Sequence, residues 1–350
     1  AYEEIEGVAV YRFRLWEAGG GAIAYAIEYG QALVMMFLLA LRISLTRGFD
    51  VIQICNPPDL LFLITLPFKF FGKKVIFDHH DLFPELYISK SAGKKPGKMY
   101  RALLFLERMT VRFADVVMST NASYREIATG RGGKAADRVF IVRNGPELSR
   151  IGSASPNPAL KCGRSHLLTY VGMMGNQDGL DYLLRALALL KEAFHRDDFH
   201  AILVGDGPAV PDLKIQAEKA GIADRLTFTG LVGQDKVFEA IATATVCVCP
   251  DPNIGLNDKS TLVKVLEYMG LGKPVVAFNL TETRASAGEA ALYATPNDER
   301  EFAEKIARLL DHPEECERLG ALGKDRILNG LAWDQQQEHL LAAYRCALGR

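Results

Sequence analysis

The sequence has little of what marks a disulfide-bonded, metal-binding or nucleic-acid-binding protein. Its 350 residues include only six cysteines, and none of these are spaced as zinc ligands usually are. No Asp-x-Asp pair occurs, so one common carboxylate arrangement for a divalent cation is missing. The formal net charge of −1 gives no general attraction for nucleic acid. The cysteine usage predicts a reducing, cytoplasmic compartment. The first residues do not have the pattern of a signal peptide, and we expect no metal or other cofactor.

The chain is long enough for two domains, and its charge is divided unevenly between two halves. Residues 1–150 hold 20 Lys and Arg against 15 Asp and Glu, whereas the remainder holds 21 against 27. Residues 151–159 have the Gly, Ser and Pro content of a linker. We therefore predict a first domain over 1–150, completed by 333–350, and a second domain over 151–332.

Strand-like and helix-like stretches alternate through both halves, which predicts parallel, doubly wound sheets and an α/β fold. The first half should hold strands at 7–14, 51–55, 75–78, 116–120 and 139–143, and helices at 59–71, at 98–113 and from 122. The second half should hold strands from 167 and at 226–230, 246–250, 275–278 and 290–296, and helices from 180, 299 and 313. A last helix from Trp333 is expected to cross back onto the first domain.

Residues 25–47 form the longest apolar segment. Gln31 and Arg42 bracket an uncharged run that is too short to span a bilayer comfortably. We favour a buried core helix, with a transmembrane helix or a helix that lays one face on lipid as alternatives.

The stretch 257–274 combines a polar start, an apolar helical pattern, two glycines and a proline, between two predicted strands. In such a strand–loop–helix–strand unit, loop amides and the helix N-terminus face the carboxyl edge of the sheet and bind anions. We expect phosphates to rest on the amides of Ser260, Thr261 and Leu262. Glu267, about two turns into the helix, would reach a sugar hydroxyl; a plain solvated glutamate is the alternative.

A polar cluster, Asp-His-His-Asp-Leu-Phe-Pro-Glu, follows a predicted strand at 78–85. It has four interpretations: a metal site, a helix cap by Asp81, an ordinary loop, or catalytic residues. The absence of a second histidine pair or an Asp-x-Asp counts against the metal site.

The run Glu-Tyr-Met-Gly-Leu-Gly-Lys-Pro-Val-Val closely resembles the nucleotide-sugar site of family 4 glycosyltransferases, which are retaining enzymes with two Rossmann-like domains. The resemblance covers most of the chain. It implies the GT-B fold, in which two domains face a cleft, and sugar transfer from a nucleotide diphosphate to a hydroxyl acceptor. It also implies a first phosphate loop at Gly172 and Gly175, a strand-end turn at Gly205, and a nucleobase contact at Leu231 and Val232.

The same resemblance favours the catalytic interpretation of 78–85. His80 would face the sugar, with Asp81 and Glu85 beside it, and would help to stabilise positive charge at the anomeric carbon. In this family the donor's own phosphate is thought to take the acceptor proton, and no metal is implied.

Three departures from the family pattern concern the donor. Met173 and Asp178 stand where the family usually has an arginine and a lysine. Many family members have two glutamates spaced eight apart, of which the first usually contacts the hexose. Here Lys259 stands at the first position and Glu267 at the second, so the usual hexose contact is missing. Lys259 or Lys264 would then supply the positive charge. In addition, one strand–helix unit of roughly thirty residues is expected to be absent ahead of the strand at 7–14.

The basic loop at 89–101, which includes Lys94 and Lys95, suggests contact with an anionic acceptor such as a polyprenyl-linked glycan, or with membrane headgroups. A solvated loop is the alternative. Together with the family resemblance, the basic first domain suggests surface-polysaccharide synthesis at the inner membrane face. The departures above also leave open a non-catalytic glycosyltransferase-like subunit that works with a protein partner.

Overall fold

The computed structural model describes residues 1–16, 21–89, 97–152 and 154–350, with the backbone alone for 22 and 23. The strands are β1 (Tyr2–Ile5), β2 (Val8–Tyr11), β3 (Val51–Cys55), β4 (Lys74–His79), β5 (Val116–Ser119), β6 (Val139–Ile141), β7 (His166–Val171), β8 (Phe199–Val204), β9 (Leu226–Phe228), β10 (Val246–Cys249), β11 (Val275–Phe278) and β12 (Ala291–Ala294). The helices are α1 (Ala22–Thr46), α2 (Phe62–Phe70), α3 (Phe83–Ser89), α4 (Lys98–Phe113), α5 (Ala122–Thr129), α6 (Leu148–Ile151), α7 (Leu180–Glu192), α8 (Val210–Lys219), α9 (Gln234–Thr243), α10 (Val263–Gly270), α11 (Thr281–Ala287), α12 (Glu299–Asp311), α13 (Pro313–Arg326) and α14 (Trp333–Leu348).

The first domain is built on a parallel sheet with the order β3-β4-β5-β6. Successive residues of β4 are buried on opposite faces, as expected for a sheet that is covered on both sides. Val75 and Phe77 pack with residues of α2, α4 and α5, whereas Ile76 packs with residues of α14.

The second domain is built on a six-stranded parallel sheet with the order β9-β8-β7-β10-β11-β12. Counted within the domain, this is the 3-2-1-4-5-6 order of a Rossmann fold. The strand order reverses between β7 and β10, so a crevice for a ligand is expected at the carboxyl ends of these two strands.

The last helix returns to the first domain, as predicted. The amide of Trp333 donates to the Pro146 carbonyl at 3.1 Å. Further along α14, Ala343 and Ala347 are buried against Ile76 and its neighbours on β5. The chain crosses itself tightly here, because a Cβ on Gly145 would lie 2.1 Å from the Leu331 carbonyl oxygen. The predicted α/β class, with two Rossmann-like domains and a returning helix, is confirmed.

The strand predicted at 7–14 is present but shorter, as β2 (Val8–Tyr11), and the sequence does not predict the preceding strand, β1. β1 and β2 form an antiparallel hairpin, and among the described strands they pair only with each other. The turn between them places Glu6 at φ 51° and Gly7 at φ 81°, which is the left-handed backbone that a two-residue hairpin turn requires. The alternation of apolar residues at 7–14 does not reveal this hairpin. Its turn places a glutamate, Glu6, at a positive φ, and glutamate is not a residue that signals such a turn.

The helix predicted at 25–47 is confirmed, but the prediction that it is a buried core helix is wrong. The helix exists as α1, but of its described side chains only Ala32 is buried. Its exposed large apolar residues are Tyr25, Ile27, Val34, Leu38, Leu41 and Leu45. By length and composition alone, Ala24–Thr46 would suffice to cross a membrane.

A buried charge network lies beneath the carboxyl end of β4. Arg131 binds both oxygens of Glu85, at 2.6 and 2.9 Å, and also binds Glu107. The fully buried His79 lies 3.8 Å from Glu107, and burial lowers the pKa of His79 to about 3. Burial, with the nearby Glu107, raises the pKa of Asp59 to about 7. Asp59 accepts one hydrogen bond, from Asn56 at 3.0 Å, so its second oxygen is left without one.

Asp59 should make the first domain less stable as the pH rises. Well below pH 3.8 the carboxyl is protonated in both the folded and the unfolded chain. Between its ordinary pKa of 3.8 and about 7 the unfolded chain loses the proton and the folded chain keeps it, so the free energy of unfolding falls. Asp59→Asn should therefore gain stability relative to the unmodified protein between pH 5 and pH 8, by up to a few kcal/mol. Urea unfolding at both pH values measures this.

Asp50→Asn is the matched control, because the Asp50 side chain is exposed. It should leave the pH dependence unchanged. An equal pH dependence in Asp59→Asn and the unmodified protein would contradict the raised pKa.

Candidate active site

Two glycines hold the crevice of the second domain open at the backbone level. Gly172 follows β7 with φ 147°, and Gly205 follows β8 with φ 130°. A Cβ on Gly205 would lie 2.0 Å from the Gly172 carbonyl oxygen. Gly205 requires glycine because the two strand ends approach each other more closely than a side chain allows, and Gly172 requires it because of its positive φ.

The loop after β7 already has a carboxylate on one of its amides. Gly175, whose amide the sequence assigns to a phosphate, donates instead to Asp178 at 2.8 Å. Burial raises the pKa of Asp178, and the charge of Lys264 opposes that rise. Met173, which stands at the usual arginine position, is exposed. The loop thus presents a negative group at the place where the sequence predicts an anionic ligand.

Lys264 lies directly beneath this loop, and the carboxylate of Asp251 balances its positive charge. Its ammonium is 2.9 and 3.1 Å from the two oxygens of Asp251 and 3.3 Å from the Tyr170 hydroxyl. Burial alone would lower the pKa of Lys264, but the adjacent Asp251 keeps it well above the usual value. A Cβ on Gly172 would be 3.5 Å from the ammonium nitrogen. The predicted compensating cation is therefore near the crevice, but it is paired with an acid.

The start of α10 offers two open amides. The amides of Thr261 and Leu262 donate to no acceptor in the described parts of the chain, whereas the Ser260 amide donates to the Asn257 carbonyl at 3.2 Å. Unpaired amides at a helix N-terminus form an anion-binding position. Two of the three amides that the sequence assigns to phosphate are thus available. Lys259 makes no salt bridge with any described residue, and at longer range its positive charge opposes the rise that burial causes in the pKa of Glu107.

Glu267 lies on the second turn of the same helix, half-buried. Its carboxylate makes no hydrogen bond or ion pair within the described ranges, and burial alone raises its pKa. Buried acids in folded proteins are normally paired or hydrogen-bonded. An unpaired one at the edge of a crevice is suited to accept hydrogen bonds from ligand hydroxyls.

On the first domain, the loop after β4 holds His80 at the corresponding sheet edge. His80 Nε2 is 3.3 Å from Asp78 Oδ1, and its Nδ1 is 3.4 Å from the side-chain nitrogen of Asn144. The hydrogen bond with Asp78 raises the pKa of His80. The Asn56 side chain fixes this loop by accepting from the amides of His80 and Asp81 at 2.9 and 3.1 Å. Asn56 follows β3 and Asn144 lies shortly after β6, so polar side chains from three strand ends meet at this edge of the sheet.

Glu85 has a different environment from His80. Both of its oxygens are engaged by Arg131 in the buried charge network. This geometry gives Glu85 a structural role, and a role in catalysis stays a prediction that the geometry does not favour. Its partner is 46 positions away in the sequence, so the pairing is not visible from the local motif.

A contact between the domains passes through Asn121, which sequence reasoning missed. Asn121 Oδ1 caps α5 by accepting from the Tyr124 amide at 2.8 Å. Its side-chain nitrogen donates across the cleft to the Lys259 carbonyl at 2.8 Å and to the Thr261 hydroxyl at 3.0 Å. The Tyr124 hydroxyl lies 3.1 Å from the Ser260 hydroxyl. The predicted donor loop is thus held by the start of α5.

Glu282 makes a second contact of this kind, also missed. It comes from α11, is 2% exposed, and accepts from the amide and hydroxyl of Ser123 at 3.0 and 2.7 Å. Arg143 lies 3.9 Å from its other oxygen. A carboxylate at the N-terminus of α5 is favoured by the unpaired amides and the helix dipole.

The remaining predicted positions are less defined. Leu231 and Val232 lie beyond β9, and Leu231 is 84% exposed. Their contact with a nucleobase stays a prediction. Lys94 and Lys95 lie outside the described residues.

Comparisons with known proteins agree with this arrangement. Residues 165–312 match the sequence profile of a family described as Glycosyl transferases group 1. The D-inositol 3-phosphate glycosyltransferase of Thermomonospora curvata is 28% identical over 292 residues, which cover 78% of this chain and 66% of that protein. The MMP alpha-(1->4)-mannosyltransferase of Mycolicibacterium hassiacum is 30% identical over 175 residues, which cover 49% of this chain and 41% of that protein. The chain spans less than two thirds of the length of these curated relatives.

Solved structures resemble the whole chain rather than one half. Sucrose-phosphate synthase from Thermosynechococcus elongatus superposes with a TM-score of 0.75 at 19% identity, over 91% of this chain and 79% of that one. Anabaena HepE in complex with UDP gives 0.70 at 16% identity, over 91% and 83%. The chain therefore has the GT-B fold of two facing Rossmann-like domains, and its second domain is similar to the group 1 glycosyl transferases.

Proposed function

We propose that this protein is a retaining glycosyltransferase, which moves a sugar from a nucleotide-diphosphate sugar to a hydroxyl acceptor. The observation that carries the proposal is the set of groups at the reversal of strand order in the second domain. Two unpaired amides, those of Thr261 and Leu262, immediately precede α10, and one unpaired carboxylate, Glu267, lies on its second turn. The amides suit phosphate, and the carboxylate suits ribose hydroxyls, as in other Rossmann-type nucleotide sites.

The donor phosphates would bind at the amides of Thr261 and Leu262. The positive end of α10 and the ammonium of Lys259 would provide the attraction. Lys264 contributes less than a free lysine would, because Asp251 balances its charge. The nucleobase would extend toward Leu231 and Val232.

The sugar would lie between the two domains, facing His80. The Asn56 side chain accepts hydrogen bonds from the amides of His80 and Asp81 and so fixes this loop. The imidazole is therefore positioned before a donor binds. His80 would orient a sugar hydroxyl. The carboxylates of Asp78 and Asp81 would add the negative potential that stabilises positive charge at the anomeric carbon. In a retaining reaction of this kind the acceptor hydroxyl passes its proton to the donor's leaving phosphate, so no protein nucleophile is required.

We place the acceptor on the first domain and propose a lipid-linked glycan at the cytoplasmic face of a membrane. The support is the exposed apolar side of α1 together with the basic character of residues 1–150. A polyprenyl-linked acceptor would bring its lipid to that surface.

A non-catalytic, nucleotide-binding subunit is the second candidate. Asp178 favours it, because a carboxylate on the Gly175 amide competes with a diphosphate. Nucleotide binding without consumption of any nucleotide sugar would support this candidate over the enzyme.

Glu267→Gln should abolish most of the response to nucleotide. A hydrogen bond to a charged group contributes about 1.5–3 kcal/mol, so affinity for the nucleotide diphosphate should fall roughly 10- to 100-fold. The measurement is thermal shift with UDP, GDP and ADP, because a ligand of the native state raises the unfolding midpoint.

The matched control is Glu218→Gln, on the exposed side of α8. The unliganded Glu267→Gln protein should be at least as stable as the original at neutral pH, since burial disfavours the ionised Glu267. A full nucleotide response in Glu267→Gln would remove the carboxylate from the donor site.

Asp178→Asn should strengthen the binding of a nucleotide diphosphate. The change keeps the size of the side chain and removes one negative charge beside the position proposed for the donor phosphates. We expect at least a fivefold gain, equivalent to about 1 kcal/mol. Titration calorimetry at near-physiological salt measures it.

Asp181→Asn serves as the comparison, since Asp181 is half-buried and already paired with Arg185 at 3.0 Å. It removes the same charge one turn away and should change affinity little. Equal or weaker binding by Asp178→Asn would show that the first loop does not meet the diphosphate.

His80→Asn should slow transfer without weakening nucleotide binding. Loss of the orienting imidazole should lower kcat about 100-fold, because the sugar is then held less well. The assay is consumption of UDP-, GDP- and ADP-sugars with membrane extract as the source of acceptor, beside His339→Asn on the exposed side of α14. Consumption that is unchanged in His80→Asn would exclude this residue from the reaction.

A further inference from the structure

Three side chains with metal-ligating atoms meet at the carboxyl edge of the first sheet. Cys55 is the last residue of β3, and Asp78 is its register partner on β4. His80 follows two residues later. The ligating atoms of Cys55, Asp78 and His80 all lie within 4.8 Å of one another. We propose that these three side chains form a binding site for Zn²⁺ or a similar thiophilic divalent cation.

The spacing suits a tetrahedral ion. Zinc binds nitrogen, oxygen and sulfur at about 2.0–2.3 Å, so neighbouring ligand atoms in a tetrahedral site are about 3.3–3.6 Å apart. His80 Nε2 and Asp78 Oδ1 are 3.3 Å apart without any movement. Cys55 is exposed, so its thiol can rotate the remaining distance.

The ligand types select the cation. A thiolate, an imidazole and a carboxylate match the mixed donor sets of zinc sites, and three protein ligands leave a fourth position open to the cleft. Mg²⁺ and Ca²⁺ prefer six or more oxygen ligands, and in this cluster only Asp78 supplies carboxylate oxygen. The site should therefore discriminate strongly against these two ions.

Further side chains already orient two of the ligands. Gln53 donates to Asp78 Oδ2 at 2.8 Å, and the Tyr344 hydroxyl in turn donates to Gln53. Asn144 contacts His80 Nδ1 at 3.4 Å. If Nδ1 carries the imidazole proton, it donates to the Asn144 amide oxygen after an amide flip and leaves Nε2 free to ligate. Supporting contacts of this kind are typical of metal-binding histidines and carboxylates.

Proton release should accompany binding. A metal ion binds the thiolate rather than the thiol, so the Cys55 thiol must lose its proton when the ion binds.

Cobalt and zinc titrations test the site directly. After chelator treatment, Co²⁺ should give one thiolate-to-cobalt charge-transfer band per chain, and Zn²⁺ should displace it. Cys55→Ser should abolish the band and weaken Zn²⁺ binding by at least about tenfold. Cys162→Ser removes a second exposed thiol outside the cluster and should change neither result.

Alkylation of the unmodified protein gives a second readout that needs no variant. Zn²⁺ should protect Cys55 from iodoacetamide and leave Cys162 reactive, as read from each peptide by mass spectrometry, whereas Mg²⁺ should protect neither. Equal Zn²⁺ affinity in Cys55→Ser and Cys162→Ser, or equal alkylation of Cys55 with and without Zn²⁺, would overturn the proposal and leave only adventitious binding.

One consequence rests on the proposed function. A metal ion on His80 would withdraw the imidazole from the sugar, so Zn²⁺ should inhibit transfer and Cys55→Ser should relieve that inhibition. The titration and alkylation results decide the metal site independently of any transfer activity.

Discussion

The cleft depends on the two hydrogen bonds that Asn121 donates across the domain boundary. Its amide nitrogen holds the Lys259 carbonyl and the Thr261 hydroxyl, while its oxygen caps α5. One buried side chain thus fixes a helix start in one domain and the loop before α10 in the other. Leaving a buried amide unsatisfied costs about 1–3 kcal/mol, so the domains separate at this point only where water or a ligand replaces these partners. Glu282 repeats the arrangement in the opposite direction, from the second domain to the start of α5.

Charge balance limits what the cleft can attract. Lys264 is paired with Asp251, and Asp178 lies on the Gly175 amide, so the loop after β7 adds little positive potential. Under the proposed function, the attraction for a diphosphate would come instead from the start of α10 and from Lys259. Because a helix N-terminus acts mainly within its first turn, a diphosphate held there would be confined to a small region before α10.

The sequence predicted what depends on local pattern, and it failed where a partner is distant. The parallel sheets follow from short apolar strands separated by glycine-bearing loops, and the start of α10 follows from its polar residues and spacing. The exposure of α1 could not be predicted, because an apolar composition does not say whether another element covers it. The Glu85–Arg131 pair joins residues 46 positions apart, and Asn121 reaches residues 138 and 140 positions away. The sequence can identify Asn121 as a helix cap, but its contacts with Lys259 and Thr261 are visible only in the folded structure.

Three glutamates differ in whether the protein supplies hydrogen-bond donors to the carboxylate. This difference, rather than burial, distinguishes a structural glutamate from one that is a candidate to bind a ligand. Glu282 is buried and Glu85 is partly buried, and each has strong donors from the protein itself. Arg131 donates to Glu85, and the Ser123 amide and hydroxyl donate to Glu282. Glu267 is partly buried and has none within the described residues. A desolvated carboxylate without a donor destabilises the fold, and a ligand with hydroxyl groups would remove that cost. The absence of a partner is therefore the property that distinguishes Glu267, and it becomes visible only when the donors around each acid are compared.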